Sequence, residues 1–202
     1  MARDGYDVYS GVVFDKSGNL YGTTLWGGAY DWGTVYQLTR KAGGGWAEKV
    51  LHSFNDNGTD GYMSYAGLII DASGNLYGTT IAGAATQNGG GTVYELSPKQ
   101  GGGWTEKVLN SFVDTDGLAP YGGLIFDSAG DLYGTTYGDA GTVFELTHKG
   151  GEWTKQVLYR FSSDDDGAYP YAGVILDGKG NLYGTTYQGG TYGYGAVFEV
   201  TP

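Results

Sequence analysis

The pentapeptide Leu-Tyr-Gly-Thr-Thr occurs four times without change, at residues 20–24, 76–80, 132–136 and 182–186, at intervals of 56, 56 and 50 residues. Self-similarity at such a period marks an array of supersecondary units, each too small to bury its own apolar face and stabilised by stacking on its neighbours. The match extends past the pentapeptide. The segments Gly11–Asp15, Gly67–Asp71, Gly123–Asp127 and Gly173–Asp177 each precede a turn rich in Ser, Gly and Asn. The array therefore takes up nearly all of the 202-residue chain, which reads as one repeat domain over 1–202 with units of about 1–54, 55–112, 113–161 and 162–202.

The second unit shows what each repeat builds. Four short, turn-bounded segments read as antiparallel strands: an inner one at Gly67–Asp71, a second at Leu76–Ile81, a third at Gly91–Ser97 and an outer one at Trp104–Phe112. The inner strand is apolar on both faces (Leu68, Ile69, Ile70), as suits a strand covered from both sides. The outer strand mixes Trp104, Val108 and Phe112 with Glu106 and Asn110, a pattern for a partly solvated edge. The first turn, Asp71-Ala-Ser-Gly-Asn75, has tight-hairpin chemistry, and Gly18, Gly74, Gly130 and Gly180 recur there. The expected fold is all-β: a β-propeller of four blades with four antiparallel strands per blade. The last blade lacks its outer strand, because the sequence runs out at Val200-Thr201-Pro202 and the segment from Ala2-Arg3 to Gly5 supplies no substitute. Either an exposed edge or a ring completed by a second copy, a homodimer, follows.

Composition narrows the function classes. Acidic residues outnumber basic ones 22 to 11, so the mean surface potential repels phosphate backbones and anionic headgroups, and nucleic acid is not an expected partner. With no Cys there is no thiol nucleophile, disulfide framework or thiolate metal site. No apolar run approaches the roughly 18 residues of a membrane-spanning helix, so membrane insertion is not expected. Met1-Ala2-Arg3 leads straight into repeat sequence rather than into a signal peptide, so the expectation is either a cytoplasmic chain or an exported one whose leader is absent from this sequence.

The run Asp71-Ala-Ser-Gly-Asn-Leu-Tyr-Gly-Thr-Thr80, followed by Gly91-Thr-Val-Tyr-Glu-Leu96, resembles the bacterial GloVer-type tandem repeat (choice-of-anchor repeat) proteins. The resemblance implies a propeller-like fold and a secreted or cell-surface location; it carries no activity and no catalytic residues to transfer.

Function must then lie in loops. If the inner strand runs from an upper to a lower face, the loops between second and third strands and those joining one unit to the next share the upper face. Features repeated in every unit are most simply scaffold. On that ground the pentapeptide is structural, with a channel-lining ring of Thr24, Thr80, Thr136 and Thr186 as the functional alternative. The joining loops repeat Asp4-Gly5, Asp60-Gly61, Asp116-Gly117 and Asp166-Gly167, each five residues before Tyr9, Tyr65, Tyr121 and Tyr171. These are turn formers, or else a ring of tyrosines and carboxylates able to stack on sugar faces and accept hydroxyl hydrogen bonds. Asp114-Thr-Asp116-Gly and Asp164-Asp-Asp166-Gly resemble fragments of a calcium loop without the distal Glu, so no metal centre is assigned and calcium is a minor option.

The second-to-third loops diverge most: Trp26-Gly-Gly-Ala-Tyr30-Asp31-Trp32, Ala82-Gly-Ala-Ala-Thr-Gln87-Asn88, Tyr137-Gly138-Asp139 and Tyr187-Gln-Gly-Gly-Thr-Tyr192-Gly-Tyr194. Their aromatics either pack over neighbouring blades or meet a ligand. His52 falls on an outer strand and His148 in a lower turn, both away from the upper loops, which argues against a Ser-His-Asp triad, a His metal centre and His general-base catalysis. Paired carboxylates remain, with Asp31 and Asp139 acting alongside Asp60, Asp116 or Asp166. The leading expectation is a non-catalytic polysaccharide-binding propeller using Trp26, Tyr30, Trp32, Tyr137, Tyr187, Tyr192, Tyr194, Tyr65, Tyr121 and Tyr171. A polysaccharide-active glycoside hydrolase or lyase, and a structural or adhesion repeat, are the alternatives.

Overall fold

The computed structural model describes residues 4–83, 89–113, 115–163 and 165–202, and among these the chain is all β with no helix. Three four-stranded antiparallel sheets and one three-stranded sheet follow one another along the chain, each a meander with its strands side by side in sequence order. The first sheet contains Val13–Phe14, Leu20–Thr24, Thr34–Arg40 and Trp46–Ser53. The second contains Ile69–Ile70, Leu76–Thr80, Thr92–Pro98 and Trp104–Ser111. In the third lie Ile125–Phe126, Leu132–Thr136, Thr142–Lys149 and Glu152–Arg160. The fourth has only Ile175–Leu176, Leu182–Thr185 and Val197–Val200.

The inner strand is two residues long where five were expected. Both of its flanks are diverted from the ladder. The Asp71 carboxylate accepts the N–H groups of Ser73 and Asn75, each at 2.8 Å, which closes the turn early. On the other side the Ala66 carbonyl accepts the Thr23 hydroxyl of the preceding sheet at 2.9 Å.

Each letter of the repeated pentapeptide has its own contact. The leucines Leu76, Leu132 and Leu182 are fully buried. The tyrosine hydroxyl donates to the Asp of the preceding turn, at 3.0 Å for Tyr21 to Asp15 and 3.4 Å for Tyr77 to Asp71. The glycine sits beneath an aromatic ring opposite it on the third strand: Gly22 pairs with Tyr36, Gly78 with Tyr94, Gly134 with Phe144 and Gly184 with Phe198. A Cβ on Gly78 would come within 2.4 Å of the Tyr94 hydroxyl, so any other residue displaces the ring. The first threonine reaches the next unit's backbone, Thr23 to Ala66 and Thr135 to Ala172, both at 2.9 Å. The second bonds a threonine of the third strand, as in Thr80 with Thr92 at 2.8 Å and Thr136 with Thr142 at 2.7 Å. It also lies against the glycine of the Asp-Gly pair: Gly61 on Thr80, Gly117 on Thr136, Gly167 on Thr186. Thr24, Thr80, Thr136 and Thr186 are therefore buried joints, and the channel-lining alternative is not what their hydroxyls serve.

Successive sheets stack front to back, and the same positions meet three times. Tyr21 and Val35 on the front of the first sheet pack with Leu68, Leu76, Tyr94 and Leu96 on the back of the second. Tyr77 and Val93 meet Leu124, Leu132, Phe144 and Leu146, and Tyr133 and Val143 meet Val174, Leu182 and Val200. A phenylalanine at the head of each joining loop wedges into the seam: Phe54 on Tyr94 at 5.2 Å between centroids, Phe112 on Phe144 and Phe161 on Phe198 both at 5.0 Å. The two outermost faces have no such partner. Val12 and Phe14 on the back of the first sheet are 47% and 62% exposed, and Ile175 and Val197 on the front of the fourth are 69% and 80% exposed.

Two small ribbons tie joining loops to second-to-third loops, Gly5–Tyr6 with Trp26–Gly27 and Gly61–Tyr62 with Ala82–Gly83, and Ala168 bridges Gln188 in the same way. Both kinds of loop thus lie on one side of the sheets, as the strand alternation requires.

Candidate functional site

The tyrosines that recur ahead of each inner strand come together. Tyr9 stacks on Tyr65 with centroids 4.6 Å apart and planes 18° from parallel; Tyr65 meets Tyr121 edge-on at 5.2 Å, and Tyr121 meets Tyr171 at 5.2 Å. Tyr137 lies against Tyr121 at 5.4 Å and Tyr171 at 4.8 Å, Tyr169 against Tyr137 at 4.9 Å, and Tyr187 closes the run on Tyr171 at 5.5 Å. Seven rings from all four units form one continuous aromatic arc. Tyr9, Tyr171 and Tyr187 are exposed, and Tyr65, Tyr121 and Tyr137 are half-buried. The neighbouring Tyr137 hydroxyl, then desolvation, push the Tyr171 hydroxyl up to about 12; burial foremost, then Tyr137 and Tyr65, raises that of Tyr121. These hydroxyls therefore stay neutral at physiological pH, able both to donate and to accept.

The tryptophans take a different role. Trp32 lies 4.7 Å from Tyr62 and 5.8 Å from Trp26, and packs on the core between the first two sheets. Tyr30 is exposed, and Tyr192 and Tyr194 stand almost free in solvent. The expected Ala82–Asn88 loop falls, from residue 84 to 88, outside the described residues, as do Asp114 and Asp164 of the calcium-loop fragments.

Carboxylates of the joining loops are used as loop caps. The Asn55 N–H donates to Asp60 at 3.0 Å, the Val113 N–H to Asp116 at 2.8 Å, and the Ser162 hydroxyl to Asp166 at 2.7 Å. Asp116 also forms an ion pair with Lys155, and Tyr159 donates to Asp166 at 2.8 Å. Of the unrepeated acids, Asp31 is exposed and accepts from Tyr6 at 3.4 Å, and Asp139 is exposed.

The structure corrects the sequence reading of each histidine in a different way. His148 lies on the third strand of the third sheet, not in a turn, and stacks on Trp153 at 4.7 Å. His52 is on an outer strand as expected, yet it is not remote from the upper loops: its Nε2 is 3.1 Å from Asp60 Oδ2 and 3.8 Å from Glu106 Oε2. The outer strand ends where the joining loop begins, and the loop folds back so that its capping Asp meets that strand end. Burial, then Asp60 beside it, pushes the Glu106 carboxyl up to about 9. The three residues share a cleft of about 650 Å³ lined also by Tyr30, Asn55, Asn57 and Thr59.

The family described as Gloeobacter/Verrucomicrobia repeat matches residues 2–198. The chain belongs to that repeat family. No curated protein matches it. As a Gloeobacter/Verrucomicrobia repeat, its recurring letters are those that build and join sheets, while the partners of the recurring aspartate differ between seams: His52 and Glu106 for Asp60, Asn110 and Lys155 at the equivalent positions for Asp116. One signal for it was present in the repeat itself: Trp104-Thr-Glu106 aligns with Trp153-Thr-Lys155, a charge reversal inside an otherwise regular strand.

Proposed function

We propose that this repeat protein is a carbohydrate-binding β-propeller module, acting outside the cell without catalysis, with the tyrosine arc as its ligand surface. The observation that carries this reading is the arc's continuity across all four units. Tyrosine pairs an apolar face, suited to the C–H side of a pyranose ring, with a neutral hydroxyl suited to sugar hydroxyls. Repetition along the arc suits a polymer, where several weak contacts add as avidity. Exposed Tyr192 and Tyr194 lie on the same loop as Tyr187, the ring that closes the arc.

The test is incubation with a panel of polysaccharides, measuring retention and released oligosaccharide together. Retention without release is expected, with Tyr121→Ala weakening it about fivefold, in line with about 1 kcal/mol for an aromatic contact. Released product would replace binding by hydrolysis or elimination, and neither retention nor release would leave the adhesion reading.

In this reading the four sheets are blades of a propeller, and a second copy of the chain completes the ring. Three internal seams join equivalent front and back positions, so the open front of the fourth sheet (Ile175, Val197) has the composition that each open back (Val12, Phe14) is built to receive. Burying such side chains contributes about 1.5–3 kcal/mol each. Sedimentation should give twice the monomer mass, and Val197→Asp should return it to monomer. A wild-type monomer at high concentration would refute the second copy.

A further inference from the structure

We propose that His52, Asp60 and Glu106 form a binding site for one divalent transition-metal ion, with zinc as the reference probe. The site lies at the seam of the first and second sheets: His52 ends one outer strand, Asp60 caps the joining loop, and Glu106 projects from the next outer strand. One ligand atom from each residue falls within 4.8 Å of the others, and the two imidazole-to-carboxylate separations are 3.1 and 3.8 Å. Tetrahedral coordination with bonds of about 2.0–2.2 Å sets ligand atoms roughly 3.4 Å apart, a value that the two imidazole sides of this triangle bracket.

Two further observations point to a missing cation. Asp60 Oδ1 and Glu106 Oε1, the second oxygens of the two carboxylates whose Oδ2 and Oε2 face the imidazole, are both buried with no hydrogen-bond partner among the described residues, and the Asp60 side chain is only 7% exposed. Buried carboxylate oxygens without donors are costly, and a dication bound by these two carboxylates offsets that cost. The molecule also contains its own control. At the next seam the residue equivalent to Glu106 is Lys155, whose ammonium pairs with Asp116 and sits 5.1 Å from the Phe112 ring centre. There the sequence provides the positive charge covalently, and the residue equivalent to His52 is Asn110, no metal ligand. At the first seam the ammonium is replaced by a second carboxylate, and the imidazole supplies the third potential ligand.

An imidazole nitrogen with two carboxylates favours zinc or a similar first-row ion over calcium or magnesium, which prefer all-oxygen shells. Three protein ligands leave one position facing the cleft, open to water or to an oxygen of a bound molecule. The competing occupant is a proton shared by Asp60 and Glu106.

Titration of the chelator-stripped chain with zinc, followed by calorimetry and by thermal melting, decides between them. One zinc per chain and a raised melting temperature are expected. Glu106→Lys copies the next seam, so it should fold while losing zinc affinity by more than about 100-fold, beyond the 10–100-fold typical of removing an outer-shell partner. His52→Ala should lose affinity comparably. Zinc binding unchanged in both variants would overturn the assignment. So would a wild-type chain that binds no zinc, an outcome that leaves the shared proton.

Discussion

The first and second seams of the stack share one architecture and opposite electrostatics. At both, a phenylalanine wedges into the next sheet and an aspartate caps the joining loop. At one, that aspartate faces histidine and glutamate; at the other, a lysine. The contrast shows how a repeat protein acquires a site. Apolar positions must be kept in every unit, because each back receives the same front, but a polar position at the rim of a seam answers only to its immediate partner. Chemistry can change there one seam at a time.

Breaking the ion pair should have the largest effect. Lys155→Glu leaves Asp116 facing a second carboxylate in a mostly desolvated seam, with an expected loss of about 3–5 kcal/mol in urea unfolding. Adding Asn110→His to that variant should restore part of the loss only when zinc is supplied, which would transplant the first seam's character onto the second. In the opposite direction, Glu106→Lys should stabilise the metal-free chain by about 1 kcal/mol, because a buried acid is exchanged for a counter-ion to Asp60. A drop in stability would mean that the two seams are not equivalent in geometry.

The third seam sharpens the comparison most gently. Burial opposes ionisation of Asp166, but donors from Ser162 and Tyr159 outweigh it and hold the carboxyl below its ordinary 3.8. A depressed folded-state pKa gives stability that is present above the unfolded value and lost as pH falls through the folded one. Tyr159→Phe should therefore lower the unfolding midpoint at neutral pH and leave it nearly unchanged well below pH 3.8. The difference will be small, since solvent screens the site.

Much of the fold was legible because its causes are local. The pentapeptide, the turn glycines and the alternation of apolar residues place the strands of the four successive sheets to within a few residues, including the missing outer strand of the fourth, while the two-stranded ribbons between loops were not foreseen. The inner strands were read too long because Ala66 and its equivalents bond across the seam rather than along the ladder, and periodicity carries no trace of that choice. The tyrosine arc was foreseeable from the fixed offset between Asp-Gly and Tyr. His52 was not, because its neighbours come from a loop and from a strand more than fifty residues away, and only the curl of the joining loop brings them within 3.1 and 3.8 Å.

The interchangeable fronts and backs of the sheets also bear on how such a chain can change in length. Since every front fits every back, an in-frame duplication or deletion of a whole unit leaves each remaining apolar joint intact, and selection meets a folded protein at every step. Copy number is then free to drift or to be tuned by recombination alone, whereas a cut through the middle of a unit strands a phenylalanine wedge without its socket.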